Sequence, residues 1–144
     1  MNIPVDICCI HPDAIIPKYQ TPGSCAFDIH TIDQKVIEPG EIVRLRTGLV
    51  FKVPKGHTMI AAARSSLPKK HGLSVPQGIG IIDQDFCGPE DELLIQLHNF
   101  SNESVKIQKG DRLIQCMIVP IAVADFNEIN AVNGQSRGGY GSTG

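Results

Sequence analysis

Four short segments hold residues able to bind or cleave an anionic ligand, and each also has an ordinary structural explanation when taken alone. In Ala63-Arg64-Ser65-Ser66, an arginine and two hydroxyls stand where an apolar run gives way to a short helical pattern. Unpaired N–H groups at a helix start favour anions, so this is a candidate phosphate seat. The plainer reading is a capped surface helix with a solvated arginine. In Gln77-Gly78-Ile79-Gly80-Ile81-Ile82-Asp83-Gln84-Asp85-Phe86, two glycines in a β-type run let a ligand approach the backbone, and the run ends in an acid and an aromatic. A bulge with ordinary turn acids explains the same pattern. Gly110-Asp111-Arg112-Leu113-Ile114-Gln115 is a tight turn entering a strand, with Gln115 either exposed or in contact with a ligand. The tail Arg137-Gly138-Gly139-Tyr140-Gly141-Ser142-Thr143-Gly144 offers a cation, a ring and two hydroxyls that can fold over a nucleotide; as a bare terminus it needs no function.

The elements that must position these segments are short. Apolar runs of strand length occur at 5–10, 42–46, 49–53, 58–63, 79–82, 93–99 and 112–119, separated by turn signals such as Pro22-Gly23, Pro39-Gly40, Pro54-Lys55-Gly56, Gly88-Pro89 and Lys109-Gly110-Asp111. One segment is helical in pattern: Ser65 to Gly72 has hydroxyls at the cap, Pro68 in the first turn, Lys69, Lys70 and His71 in the last, and Gly72 as the stop. Fourteen glycines and ten prolines in 144 residues, with only 5% aromatics, fit strands joined by many turns, so a single all-β domain, a compact barrel or jelly roll, is expected. Residues 1–132 read as the β-domain and 133–144, rich in Gly and Ser, as a flexible arm.

A net charge of −2 argues against sustained binding to nucleic acid but permits a small anion held by local cations. Cys8, Cys9, Cys25, Cys87 and Cys116 are odd in number, share no metal-ligand spacing with a histidine, and lie mostly in apolar runs, so buried free thiols are expected. The amino terminus lacks a basic segment followed by an apolar stretch, and no run approaches a membrane span. These features point to a soluble protein of the cytoplasm or another reducing compartment.

Taken in order, the four segments together with Ala26-Phe27-Asp28-Ile29 resemble the five ordered motifs of the trimeric dUTPase family, over nearly the whole chain from Ala26 to Gly144. The resemblance implies a distorted jelly roll assembled as a homotrimer, with active sites between subunits and dUTP as substrate. By the same match, Asp83 is the carboxylate that activates the attacking water. Gln77, Gly80, Ile81 and Ile82 belong to the uracil-binding hairpin, and Phe86 is the ring under the deoxyribose. Arg64, Ser65, Ser66 and Gln115 match phosphate-binding positions, and Arg137, Tyr140, Gly141, Ser142 and Thr143 match the closing arm. Asp28 matches the acid near the metal, acting through water on a Mg²⁺ ligated mainly by the substrate phosphates.

The chain departs from the family pattern in four places. Ala26 stands where Gly is common and Phe86 where Tyr is common, Arg137 lies only three residues before Tyr140, and Gly88-Pro89-Glu90-Asp91-Glu92 is longer than the usual turn, reading as a surface insertion. The implied reaction is hydrolysis of dUTP to dUMP and pyrophosphate by attack of water on the α-phosphorus, with a divalent metal offsetting the triphosphate charge. It would limit uracil incorporation into DNA and supply dUMP for thymidylate synthesis. A dCTP deaminase, similar in its Arg-Ser-Ser segment, is the rival enzyme and would require a proton-shuttling Glu. A catalytically silent nucleotide-sensing trimer of the same fold is the rival of another class.

Overall fold

The computed structural model describes residues 2–142. Eleven strands and one helix follow in order: β1 (Asp6–Cys9), β2 (Phe27–His30), β3 (Lys35–Ile37), β4 (Ile42–Arg46), β5 (Leu49–Lys52), β6 (His57–Ala63), α1 (Ser66–His71), β7 (Leu73–Ser74), β8 (Ile79–Ile82), β9 (Leu94–Asn99), β10 (Val105–Ile107) and β11 (Arg112–Pro120). All seven apolar runs are strands, within a residue or two at their ends. Four short strands, β2, β3, β7 and β10, join them. Among the described residues no helix is long and apolar enough to cross a membrane.

Every strand pairing is antiparallel, and the strands form four small sheets ordered β1-β5, β10-β3, β2-β11-β6-β8 and β4-β9-β7. Alternation along the strands produces the core. In β4, Val43 and Leu45 point inward while Ile42, Arg44 and Arg46 face out; opposite them, Ile95 and Leu97 of β9 are fully buried. Phe27 of β2 stacks on Phe51 of β5 with ring centroids 6.2 Å apart, and Tyr19 meets Phe27 edge-on at 5.6 Å. Ile29, Met59, Leu67, Leu113 and Cys116 continue one contiguous core between the sheets.

Helix α1 ends as its sequence predicts. Gly72 adopts φ +64 and donates its N–H to the Pro68 carbonyl, and a Cβ at that position would stand 2.7 Å from Ser101 Cβ, so both backbone and packing require glycine. Its start differs from expectation: Ser65 occupies the cap position in helical conformation and its hydroxyl makes no capping bond. The cysteine expectation is also corrected. All five thiols are free, but Cys8, Cys9 and Cys25 are exposed and Cys87 half-buried, because β1 is an edge strand and residue 25 precedes β2 on the surface. Only Cys116 is buried, and burial pushes its thiol up to about 12.

The predicted surface insertion at 88–92 is tied to the body at its last residue. Glu92 accepts hydrogen bonds from the backbone N–H groups of Thr47 at 3.2 Å and Gly48 at 2.7 Å and from Arg46 Nε at 3.1 Å. A second polar tie is Asn99, fully buried on the inward face of β9. Its Nδ2 donates to the carbonyls of Ile37 and Glu103, each at 2.8 Å, and its Oδ1 accepts from Ser101 N at 3.0 Å and Ser101 Oγ at 2.7 Å. Asn99→Ala removes these bonds at a site that water does not reach. The Glu103 carbonyl keeps Ser101 Oγ as a donor at 3.0 Å, so the Ile37 carbonyl alone loses its side-chain partner, and unfolding free energy is expected to fall by about 1–3 kcal/mol. Urea unfolding at fixed protomer concentration measures this; an unchanged midpoint contradicts it.

Candidate active site

The first half of the site forms where β2, β6 and β11 end together. Strand β11 pairs with β2 on one side and β6 on the other, so Asp28, Gln115 and Ala62 stand opposite one another in one row, which β8 extends with Ile79. Asp28 is buried, and its carboxylate is met by two arginines. Arg64 Nε approaches it at 3.0 Å and Arg112 Nη1 at 3.1 Å. Arg64 Nη1 also donates to the Arg112 carbonyl at 3.0 Å, binding the two arginines into one unit. Gln115 Nε2 donates to the Ala63 carbonyl at 3.0 Å, which fixes its amide beside the pair. Ser65 is exposed and Ser66 half-buried at the start of α1. Two arginines against one carboxylate leave the cluster with a net positive charge.

Arg112 and His30 belong to this cluster although the sequence offered neither as a site residue. Strict alternation along β11 sets Arg112 and Gln115 on opposite faces. The register with β2 shifts between Arg112 and Ile114, and this bulge brings Arg112 round to Asp28. The Gly-Asp turn just before Arg112 was the available signal, since bulges gather at strand ends near sites. His30 pairs with Arg112 across the strands. Burial, then the neighbouring Arg112 and Arg64 cations, hold its imidazole below the usual value, while Asp28 pulls the other way. Among the described residues its Nδ1 is buried without a hydrogen-bond partner.

The second half lies on β8, the outermost strand of the four-stranded sheet. Gln77, Gly80, Ile81, Ile82 and Phe86 all line one cleft of about 450 Å³, with Arg44, Glu92 and Gln96 across from them. Because β8 pairs only with β6, half of its backbone N–H and C=O groups face outward and can read a flat ligand edge. Gly78, at φ +78, makes the turn into the strand. Gly80 has ordinary backbone geometry, so its lack of a side chain serves the space beside it. Asp83 follows the last residue of β8 and is exposed; its carbonyl accepts from Phe86 N at 3.3 Å, which curls the ring back. Gln84 Oε1 takes the Gly56 N–H at 2.8 Å and fixes the turn that carries Asp83.

Asp83 does not meet the Arg64 cluster within one chain. Ile82 pairs with Met59, which sets Asp83 level with Thr58, whereas Arg64 lies beyond the other end of β6. At about 3.3 Å per residue the separation along the strand is roughly 20 Å. The arm joins neither half. Past Pro120 the described chain has no helix or strand, Phe126 is 93% exposed, and Arg137, Tyr140, Gly141 and Ser142 are exposed too. Thr143 lies outside the described residues. Among the described residues, no group of three or more His, Cys, Asp or Glu side chains is placed to hold a metal ion, and Asp28 is already engaged by two arginines. The donor set therefore suits a metal that arrives on the ligand's own phosphates better than one held by protein alone.

Residues 12–144 match the family model described as dUTPase. The chain is 38% identical over 137 residues to the deoxyuridine 5'-triphosphate nucleotidohydrolase of Nautilia profundicola, covering 94% of both chains. With the enzyme of the same name from Helicobacter pylori strain J99 it shares 37% identity, over 94% of this chain and 92% of the relative. In fold it resembles the Staphylococcus bacteriophage 80alpha dUTPase solved with dUPNHPP, at a TM-score of 0.88 and 21% identity over 99% of each chain. A mutant dUTPase of S. aureus phage phi11, whose structure is described as showing coordination of a structural Mg(II) ion, aligns at a TM-score of 0.81 and 21% identity over 90% of this chain and 98% of that one. The fold is the jelly-roll-like one expected, and the chain belongs to the dUTPase family.

Proposed function

We propose that the protein hydrolyses dUTP to dUMP and pyrophosphate at sites built between the subunits of a homotrimer. One observation carries the reading: within a dUTPase-family chain, Gln77, Gly80, Ile81, Ile82 and Phe86 gather around a single cleft beside the exposed Asp83. The outward backbone groups of β8 bind the uracil edge, and the Phe86 ring forms the floor under the deoxyribose that rejects a 2′-hydroxyl. Asp83 orients a water in line with the α-phosphorus and takes its proton. The bond from that phosphorus to the bridging oxygen breaks and pyrophosphate leaves. Arg64, Ser65, Ser66, Gln115 and Arg112 bind the phosphates, and Asp28 keeps the arginines aligned. A Mg²⁺ carried by the substrate would supply Lewis-acid charge neutralisation, and Asp28 would be the protein group nearest to hold it, indirectly through water.

A general base acts through one water across only a few ångströms. Asp83 and Arg64 of one chain, roughly 20 Å apart along β6, therefore serve different nucleotides. A second copy must complete each half. Strand β8 presents Ile79, 48% exposed, and Ile81, 65% exposed, on the same face as Ile60 and Met117; this apolar row suits burial against another copy. Arg137, Tyr140, Gly141, Ser142 and Thr143, carried on a segment with little contact to its own domain, close a neighbour's site.

The deaminase alternative needs a free glutamate in the cleft. Among the described residues Glu92 is the one glutamate on its wall, and its carboxylate is occupied by two backbone N–H groups and Arg46.

Pyrophosphate release should be fast with dUTP and weak with dCTP and UTP, and no ammonia should appear; ammonia from dCTP would overturn the assignment. Asp83→Asn is expected to lower kcat by about 10²- to 10⁴-fold, the usual worth of a general base. Binding of a non-hydrolysable dUTP analogue should persist, and retained turnover removes Asp83 from the mechanism.

The shared site is tested by complementation between Asp83→Asn and a chain ending at Val132. Each homotrimer should be nearly inactive. In co-refolded mixtures a site is whole when its hairpin comes from the truncated chain and its arm from the substituted one, which holds for about a quarter of sites under random mixing. Mixed trimers confirmed by mass but showing no recovered activity would mean that the arm closes its own subunit's site.

A further inference from the structure

The cleft contains a chain of side chains, two of which, Arg44 and Gln96, the reaction above does not use. On adjacent strands Arg44 of β4 and Gln96 of β9 stand directly opposite each other. Arg44 Nε donates to Gln96 Oε1 at 3.0 Å, and Gln96 Nε2 donates to Gln77 Oε1 at 3.4 Å. All three line the same cleft as Gly80, Ile81 and Phe86.

An arginine has donors and no acceptor, so its bond to Gln96 admits only the amide oxygen. That leaves the Gln96 NH₂ pointing onward, where it can meet only an acceptor, the oxygen of Gln77. With its oxygen engaged, Gln77 presents its NH₂ to the cleft. Direction thus passes from a group that cannot reverse to two amides that otherwise could.

The difference between uracil and cytosine lies in just such a direction: uracil carries a carbonyl acceptor at position 4, cytosine an amino donor. We propose that Arg44 and Gln96 are positioning residues that set base selectivity by holding the Gln77 amide as a donor toward a 4-oxo pyrimidine. A 4-amino pyrimidine then meets donor against donor, and the mismatch costs affinity. The inference rests on the dUTP reading above and deepens it: the backbone of β8 is not the sole source of discrimination, and the additional part originates on strands in another sheet.

The test reverses the relay. Gln96→Glu puts a group with acceptors only between Arg44 and Gln77, so the Gln77 amide turns its NH₂ toward residue 96 and its oxygen toward the base. The affinity for dCMP relative to dUMP, measured by titration calorimetry, should rise at least about tenfold. The dCTP:dUTP ratio of kcat/KM should rise with it. Arg44→Met, which frees Gln96 to take either orientation, should raise the ratio less, and Arg44→Lys, again a donor only, should return it toward the wild-type value. A purely structural role would weaken both nucleotides alike and leave the ratio unmoved. If Gln96→Glu does not fold, the Arg44→Met and Arg44→Lys pair decides alone. Wild-type protein that binds neither nucleotide overturns the dUTP reading and the relay together. Wild-type protein that prefers dUMP, with variants that keep its ratio, overturns the relay only.

Discussion

The paired charge of Asp28 is the constraint on which the anion-binding end of the molecule depends. A buried carboxylate is stable only with its charge met, and its partners come from two other places in the chain: Arg64 just past β6 and Arg112 at the start of β11. One interaction therefore binds the ends of β2, β6 and β11, and the same bonds hold the arginine forks in a fixed orientation before any ligand arrives. Removing either arginine would leave a buried charge half-matched, which for buried pairs costs about 3–5 kcal/mol, somewhat less here because both arginines are partly exposed. Structural pairing and ligand binding thus use the same atoms, and a phosphate entering the cluster would meet donors already aligned.

The other end is organised by the absence of a neighbour. Strand β8 closes its sheet on one side only, so the hydrogen bonds that would have joined a further strand remain for a ligand. The cleft beside it is bounded by a separate sheet, where Glu92 anchors its approach to the backbone at Thr47 and Gly48. That second sheet is tied in turn to the β3–β10 pair by Asn99, whose buried amide donates to the carbonyls of Ile37 and Glu103. Rigid polar ties of this kind suit a site whose selectivity depends on the orientation of amides rather than on volume.

Asp83 and Arg64 lie toward opposite ends of β6, and on the proposed reading that distance turns a monomer's geometry into an argument about assembly. On that reading it is strand length, not side-chain chemistry, that calls for a second chain. The exposed apolar row on β8 and the arm with little contact to its own domain follow the same logic: each is unfavourable in an isolated chain and has a natural place in a closed ring of copies.

Local pattern was enough for much of this. Apolar runs of strand length and Pro-Gly punctuation marked seven of the strands; the spacing from Ser65 to Gly72 marked the helix, because its stop needs a left-handed glycine. The ordered motifs pointed to Asp83, Gln77, Phe86 and the Arg64 segment without any coordinates. Four strands of two to four residues escaped notice, since so short a run acquires its extended form from the partner it pairs with. The cysteines were misjudged for a related reason: an apolar run says that a strand exists, and only the sheet order says that β1 stands at an edge. Arg112 entered the cluster through a bulge, which no alternation rule anticipates, and the Arg44–Gln96–Gln77 chain joins residues far apart in sequence through strand register. What the sequence by itself determined was the identity of the chemical groups and the elements carrying them; which groups meet, and at what distance, was decided only by the pairing of strands, because hydrogen-bond direction and charge compensation act through space.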